Sequence, residues 1–174
     1  MDTRFFLVPI AAISIVQIAQ ASVFLSVEQA QAIMFPGAIL TADFRTLTGR
    51  EISAIEKVSD THVLNKRIRV WKASTGGWFI ADQVIGKHDY IPFAIALNES
   101  GSVKDVEILE YREAYGGEVK DDKWRAQFVG KNHESALKLT NDIQNISGAT
   151  LSSKHITDGV RRLVATYAIV LAAR

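Results

Sequence analysis

The segment WFIADQVIGKHDYIPFAIALNESGSVKDVEILEY, residues 78–111, decides the fold of this chain. Its three apolar runs, Trp78–Ile85, Ile91–Leu97 and Val103–Tyr111, are rich in branched and aromatic side chains, which is typical of β-strands. The residues between the second and third runs, Asn98–Gly101, are turn formers. Short strands joined by tight turns predict an antiparallel meander.

Helices are predicted on both sides of this meander. Val27–Met34 and Gly49–Ser59 have apolar residues at helical spacing, and Thr48 opens a capping box for the second of them. Further helices are predicted over Glu134–Ile143 and roughly Ser152–Ala172. Helices that bracket a meander predict an α+β fold in a single domain.

The composition excludes several classes of function. The chain has 174 residues, and its 20 Lys+Arg and 19 Asp+Glu give a net charge of +1. Because nucleic-acid-binding domains are usually clearly basic, no nucleic-acid partner is predicted. The chain has no cysteine, which excludes disulfides and every metal site or lipid anchor built on cysteine. No metal ligands are predicted, since the histidines lack ligand spacing, and no known catalytic motif predicts a catalytic residue.

The N-terminus has the layout of a secretory signal peptide. Arg4 precedes an apolar run, and Ala19-Gln20-Ala21 follows as a small-x-small cleavage site, so that the mature chain would begin at Ser22. The alternative is an uncleaved anchor, because the uncharged stretch Phe5–Leu25 is about as long as the roughly 20 residues of a membrane span. Both interpretations predict an extracytoplasmic protein, either periplasmic or held at the outer face of the cytoplasmic membrane.

The segment ISGATLSS, residues 146–153, places small residues directly before a predicted helix. The free N–H groups and the dipole at a helix start favour an anion there, and small side chains let a ligand approach the backbone. The hydroxyl of Thr150 would then meet the anion. The alternative is an ordinary helix cap supplied by Ser152 or Ser153, with Thr150 a loop residue.

Ser147-Gly148-Ala149-Thr150 resembles the flavinylation motif of the FMN-binding domain family. That family includes the flavin-carrying C subunit of the sodium-pumping NADH:quinone oxidoreductase and the G subunit of the Rnf electron-transport complex. Two further segments occur in the family's order: Glu113–Glu118 resembles its Glu-Thr-Pro-Gly-Leu-Gly stretch, and Gln127–Lys131 resembles its Gln-Phe-x-Gly-Lys segment.

The resemblance covers roughly residues 76 to 171 and implies a division of the chain. Residues 1–21 would be the signal peptide or anchor, residues 22–75 a helical N-terminal segment, and residues 76–174 the FMN-binding domain. It also implies that Thr150 carries FMN through a phosphoester bond, which a flavin transferase forms from FAD. No other cofactor is implied.

The resemblance further implies cofactor contacts around this threonine and in the upstream loop. The predicted cofactor-binding residues are Thr150, Ser147, Gly148, Ala149, Ser152, Ser153, Glu113, Tyr115, Gly116, Gly117 and Lys131. The three serines are expected to donate hydrogen bonds to the phosphate, and Lys131 to pair with its charge. Tyr115, Trp124 and Phe128 either flank the flavin ring or are ordinary core aromatics.

The function that the resemblance implies is an extracytoplasmic flavoprotein that transfers electrons between redox proteins. It would be a carrier or a subunit of a membrane-associated redox system rather than a stand-alone enzyme. Two alternatives remain open from the sequence. One is a non-redox module that binds a small anionic ligand or a partner protein, and the other is a flavin reductase that acts on a small acceptor.

Overall fold

The computed structural model describes residues 22–172 of the chain, so the predicted signal peptide or anchor at residues 1–21 lies outside the described residues. The strands are β1 (Ser22–Val23), β2 (Leu40–Ala42), β3 (Arg45–Thr46), β4 (Arg67–Ala73), β5 (Trp78–Ile85), β6 (Tyr90–Leu97), β7 (Val103–Ile108) and β8 (Glu110–Tyr111). The helices are α1 (Val27–Met34), α2 (Gly49–Ser59), α3 (Asp122–Arg125) and α4 (Thr150–Thr166), which continues as a π-helical turn, Tyr167–Leu171. Short 3-10 helices occupy Gly117–Lys120 and Ala126–Phe128.

The predicted meander and the α+β class are confirmed. The main sheet has six strands in the order β2-β4-β5-β6-β7, with β3 pairing beside β2 on β4. The pairing of β5 with β6 is antiparallel and runs from Trp78–Leu97 to Ile85–Tyr90. The third predicted run, Val103–Tyr111, forms two strands and not one. β7 ends at Ile108, and β8 pairs with β1.

Helices cover both faces of this sheet. On one face, Ile55 of α2 and Ile156 of α4 belong to a large core that includes Phe93 of β6. On the other face, Ala30 and other apolar residues of α1 pack on the small residues of β5 and β6. Residues 22–75 therefore contribute four strands and two helices, and β2, β3 and β4 belong to the same sheet as β5.

The close packing of α4 on the sheet depends on Gly159. A Cβ atom at this position would lie 2.6 Å from Cγ1 of Val84 and 2.9 Å from Cζ of Phe93. The absence of a side chain lets the helix approach β5 and β6. This packing fixes where the first turn of α4 lies relative to the β5–β6 hairpin.

The prediction of a helix over Glu134–Ile143 is wrong. Within it, Leu137 and Thr140 have left-handed φ angles of 45° and 63°, which a right-handed helix does not allow. The carboxylate of Asp142 accepts hydrogen bonds from the backbone N–H groups of Leu137 (3.0 Å) and Lys138 (2.9 Å). These side chain–backbone bonds replace helical ones and hold the segment as a loop.

We expect Asp142→Asn to destabilise the protein at neutral pH. Burial raises the pKa of Asp142, but the bonds from Lys138, Lys131 and Leu137 outweigh it and lower the pKa below its ordinary value. A lowered pKa in the folded state means that the stabilisation is present above the ordinary pKa and is lost as the pH falls through the lowered one. The variant should lose about 1–2 kcal/mol of unfolding free energy at pH 7.

Thermal melts at pH 7 and at pH 3 check this expectation. The difference between the wild type and Asp142→Asn should narrow at the lower pH, because pH 3 lies below the ordinary pKa of an aspartate and part of the stabilisation is already lost there. A difference of the same size at both values would mean that the charge of Asp142 does not hold the loop.

Candidate functional site

A cleft of about 400 Å³ lies where three segments of the chain meet. The segments are the turn between β5 and β6, the loop after β8, and the first turn of α4 with the residues before it. The lining residues are Lys87, His88, Glu113, Ala114, Tyr115, Gly148, Ala149, Thr150, Leu151 and Ser152. The volume falls within the range of about 300–1,000 Å³ that is usual for small-molecule sites.

Thr150 is the first residue of α4 and is exposed in this cleft. The N-cap residue, Ala149, makes no side-chain capping bond, so the prediction that Ser152 or Ser153 caps this helix is wrong. The N–H groups of the first turn have no partner within a helix. The hydroxyl oxygen of Thr150 accepts a hydrogen bond from Nδ2 of Asn145 at 3.0 Å. The arrangement presents an oriented hydroxyl beside uncapped N–H groups.

The hydroxyl hydrogens of Ser152 and Ser153 are both used inside the protein. Ser153 is fully buried, and its Oγ donates to the carbonyl of Ala149 at 2.9 Å. The phenol of Tyr111 donates its one hydrogen to the carbonyl of Tyr115 at 2.6 Å, so Ser152 must donate in the bond of 2.8 Å between Oγ and the phenol. Internal bonds thus replace the donation to a phosphate that was predicted for these two serines.

Glu113 shapes the cleft through the backbone of the β5–β6 turn. Its Oε1 accepts the N–H groups of His88 (2.7 Å) and Asp89 (3.1 Å). Burial raises the pKa of Glu113, but these backbone hydrogen bonds outweigh it and lower the pKa, so the carboxylate stays ionised at neutral pH. Glu113 therefore holds the turn that presents the side chains of Lys87 and His88.

The other predicted residues divide between the cleft and its support. Gly148 and Ala149 line the cleft, whereas Ser147, Ser153, Gly116, Gly117 and Lys131 are not among its lining residues. Lys131 is paired instead with Asp142 at 3.1 Å, and this ion pair belongs to the loop that precedes Ser147–Thr150. The positive charge beside the cleft is supplied instead by Lys87.

The three predicted aromatics have different environments. Trp124 and Phe128 are buried and form an edge-to-face pair at 5.2 Å, which confirms the core interpretation for both. Tyr115 is 85% exposed and lines the cleft, so the core interpretation is wrong for this residue. A flat side chain that is left exposed at the mouth of a cleft is suited to cover a planar ligand.

Gln127 and the nearby Trp124 support the loop that precedes Thr150. Oε1 of Gln127 accepts the N–H of Gln144, and Nε1 of Trp124 donates to the carbonyl of the same residue, both at 2.8 Å. These two side chains thus fix the start of the loop that leads to Thr150. The segment Gln127–Lys131 contributes no residue to the cleft lining.

The sequence analysis missed Lys87, His88, Leu151 and Asn145. The first two lie more than 60 residues before Thr150 in the chain, and only the pairing of β5 with β6 and the packing of α4 bring them to it. Leu151 is 49% exposed beside Thr150 and lines the cleft, where it offers apolar surface to a ligand. The sequence offered a signal for Leu151 alone, since it follows the motif directly.

Two kinds of feature are absent from the part of the chain that the structure describes. Residues 22–172 contain no group of three or more His, Asp or Glu side chains placed to hold a metal ion. Among the same residues, no helix has the length and apolar character that crossing a membrane requires.

Comparison with known proteins agrees with the geometry of the cleft. No curated protein is significantly similar to this chain. Residues 86–165 match the family model of the FMN-binding domain. This range begins at the β5–β6 turn and ends near the end of α4, so it holds all the residues that line the cleft. Residues 86–165 of this chain are therefore an FMN-binding domain.

Proposed function

We propose that this protein carries FMN in covalent linkage to Thr150 and transfers electrons between redox proteins outside the cytoplasm. The observation that carries the proposal is the exposed Thr150 hydroxyl at the uncapped start of α4, inside the cleft of the FMN-binding domain. A flavin supplies one- and two-electron transfer when it is bound. The protein supplies the attachment, the orientation and the electrostatic environment.

The residues of the cleft fit the two ends of FMN. For the phosphate, the first turn of α4 offers free N–H groups and the positive end of its dipole, worth about 0.3–1 kcal/mol for an anion and up to about 2 when partly buried. Lys87 adds a cationic group and His88 adds an imidazole on the facing turn. For the ring, Tyr115 and Leu151 offer exposed apolar surface at the same cleft.

The attachment reaction uses the hydroxyl of Thr150 as the nucleophile. With FAD as the donor, a bond forms between Oγ1 of Thr150 and the phosphorus of the FMN half. The pyrophosphate bond breaks, AMP leaves, and the hydroxyl proton is released. Because Asn145 donates to Oγ1, it restricts the rotation of the hydroxyl and leaves its hydrogen free to depart. A flavin transferase is the partner that this step requires.

The test of this proposal is the mass of the protein after incubation with a flavin transferase, FAD and a divalent metal. We expect one FMN per chain, located on Thr150 by peptide mapping, and a yellow colour that survives denaturation. Reversible reduction without turnover of a small acceptor would support the carrier role. Rapid turnover of such an acceptor would favour a reductase, and the absence of any bound flavin would favour a non-redox binding module.

The location outside the cytoplasm is a separate part of the proposal. It is supported by Arg4, the apolar run after it and the cleavage site that ends at Ala21. N-terminal sequencing of protein from the extracytoplasmic fraction should begin at Ser22. A cytoplasmic protein that retains Met1 would contradict this part and leave the flavin chemistry unaffected.

We expect Lys87→Glu to slow flavin incorporation about three- to tenfold, which corresponds to about 0.7–1.4 kcal/mol. The reason is that the variant places a negative charge opposite the helix start where the phosphate is attached. Lys66→Glu is the matched control, because Lys66 is also exposed and changes the net charge equally, but it lies outside the cleft lining. Initial rates at low and high salt measure the effect, which should shrink at high salt. Equal slowing by both variants would show that the net charge, not the cleft, is responsible.

A further inference from the structure

One phenol joins two of the three segments that form the cleft. Tyr111 is 6% exposed and lies at the end of β8. Its hydroxyl donates to the carbonyl of Tyr115 at 2.6 Å and is bonded to Oγ of Ser152 at 2.8 Å. Tyr115 belongs to the loop after β8, and Ser152 belongs to the first turn of α4. The phenol therefore connects the loop to the helix start.

The geometry leaves little freedom at this junction. Gly116 has a φ of 92°, and a Cβ at its position would lie 2.6 Å from the phenol oxygen and 2.8 Å from Oγ of Ser152. The backbone of the loop thus rests directly on the two hydroxyl groups. Burial raises the pKa of Tyr111, so the phenol is protonated and can donate to the carbonyl at all physiological pH values.

We propose that Tyr111 is a positioning residue for flavin attachment, which fixes the loop bearing Tyr115 against the helix turn bearing Thr150. This inference rests on the proposed function. Tyr111 is not among the residues that line the cleft, so it acts through Tyr115 and Ser152 and not on the flavin itself. Without its hydroxyl, the carbonyl of Tyr115 and the hydroxyl of Ser152 lose their common partner, and the two walls of the cleft are free to separate.

The experiment compares Tyr111→Phe with Tyr167→Phe as acceptors for a flavin transferase. Tyr167 is a matched control, because it is 7% exposed and its hydroxyl also donates to a backbone carbonyl, that of Glu99, at 2.6 Å. It lies 17 residues after Thr150, which is about 25 Å along the helix. Tyr111→Phe loses two hydrogen bonds and Tyr167→Phe loses one, so the decrease in melting temperature should be larger for Tyr111→Phe, and flavin incorporation is compared where both variants are fully folded.

We expect Tyr111→Phe alone to lower the kcat of flavin incorporation about fivefold, the factor that corresponds to about 1 kcal/mol. The measurement varies the concentration of the folded acceptor protein at saturating FAD, well below the melting temperature. After loading, the visible circular dichroism of the flavin should also differ between Tyr111→Phe and the wild type, and Tyr167→Phe should match the wild type.

Equal kcat values and spectra for the two variants would overturn the inference. Failure of the wild type to incorporate flavin would instead overturn the proposed function, so the two failures are distinguishable. If Tyr111→Phe does not fold, Ser152→Ala is the variant to test. It removes the bond between Ser152 and the phenol but keeps the bond from the phenol to the carbonyl of Tyr115. A kcat for Ser152→Ala equal to that of Tyr167→Phe would then count against a positioning role.

Discussion

Thr150→Ala is expected to abolish covalent flavin incorporation while leaving the fold intact. Within the first turn of α4 no group replaces the lost nucleophile, because the hydroxyl hydrogens of Ser152 and Ser153 are used in internal bonds. Thr150 is exposed, and alanine is tolerated at the start of a helix, so the free energy of unfolding should change by no more than about 0.5 kcal/mol. The measurement is the intact mass after treatment with the transferase.

Two companion variants make the result specific. Thr150→Ser keeps a hydroxyl at the same position and should still accept flavin. Thr41→Ala removes an exposed threonine of β2, outside residues 86–165, and should accept flavin like the wild type. Stoichiometric covalent flavin on Thr150→Ala would place the attachment elsewhere and remove the main support of the proposed function.

The helices that the sequence predicted correctly are those whose signals are local. At Thr48 the predicted capping box is present, with the N–H of Glu51 bonded to the threonine hydroxyl and the Glu51 carboxylate bonded to the threonine N–H. The helix over Glu134–Ile143 failed because the apolar spacing was correct but Asp142 offered the backbone a competing set of bonds. The periodic spacing of apolar residues does not show when a side chain competes with the helix for backbone hydrogen bonds.

Sequence patterns were also insufficient for the candidate site, whose residues lie far apart in the chain. The resemblance identified Thr150, Glu113 and Tyr115, and the structure brings all three to one cleft. Lys87 and His88 could not be predicted, since their proximity depends on the register of β5 with β6. Glu113 was predicted to contact the cofactor, whereas its carboxylate binds the backbone of the β5–β6 turn. No residue pattern indicates such a contact.

An analysis based on apolar stripes also could not predict the role of Arg161, an arginine of α4 that is only partly exposed. Arg161 has only 13% of its side chain exposed. Its guanidinium donates to the carbonyls of Ser59 (2.6 Å) and Leu137 (2.7 Å), to Oγ1 of Thr61 (3.2 Å) and to the carboxylate of Asp158 (2.8 Å). One side chain therefore ties α4 to the end of α2 and to the loop that follows Lys131.

Arg161→Met is expected to be the most destabilising of the substitutions proposed for this protein. The apolar chain of methionine retains much of the packing, but the four hydrogen bonds of the guanidinium are lost. The carboxylate of Asp158 keeps Lys154 as a partner, whereas the carbonyl of Leu137 loses its donor. Removing one partner of a buried ion pair costs about 3–5 kcal/mol. Because Arg161 retains some exposure, we expect about 3 kcal/mol, or a decrease in melting temperature of roughly 6–12 °C for a chain of this size.

Thermal and urea unfolding of Arg161→Met, Arg161→Lys and Arg112→Met measure this effect. Lysine should restore only part of the stability, since an ammonium group cannot reach four acceptors in the planar arrangement of a guanidinium. Arg112 pairs with Glu110 but is 51% exposed, so its loss should cost less than about 1 kcal/mol. The ranking follows from burial and from the number of hydrogen bonds that each variant loses. A stability of Arg161→Met equal to that of Arg112→Met would show that this connection between α4, α2 and the loop contributes nothing beyond an ordinary surface ion pair.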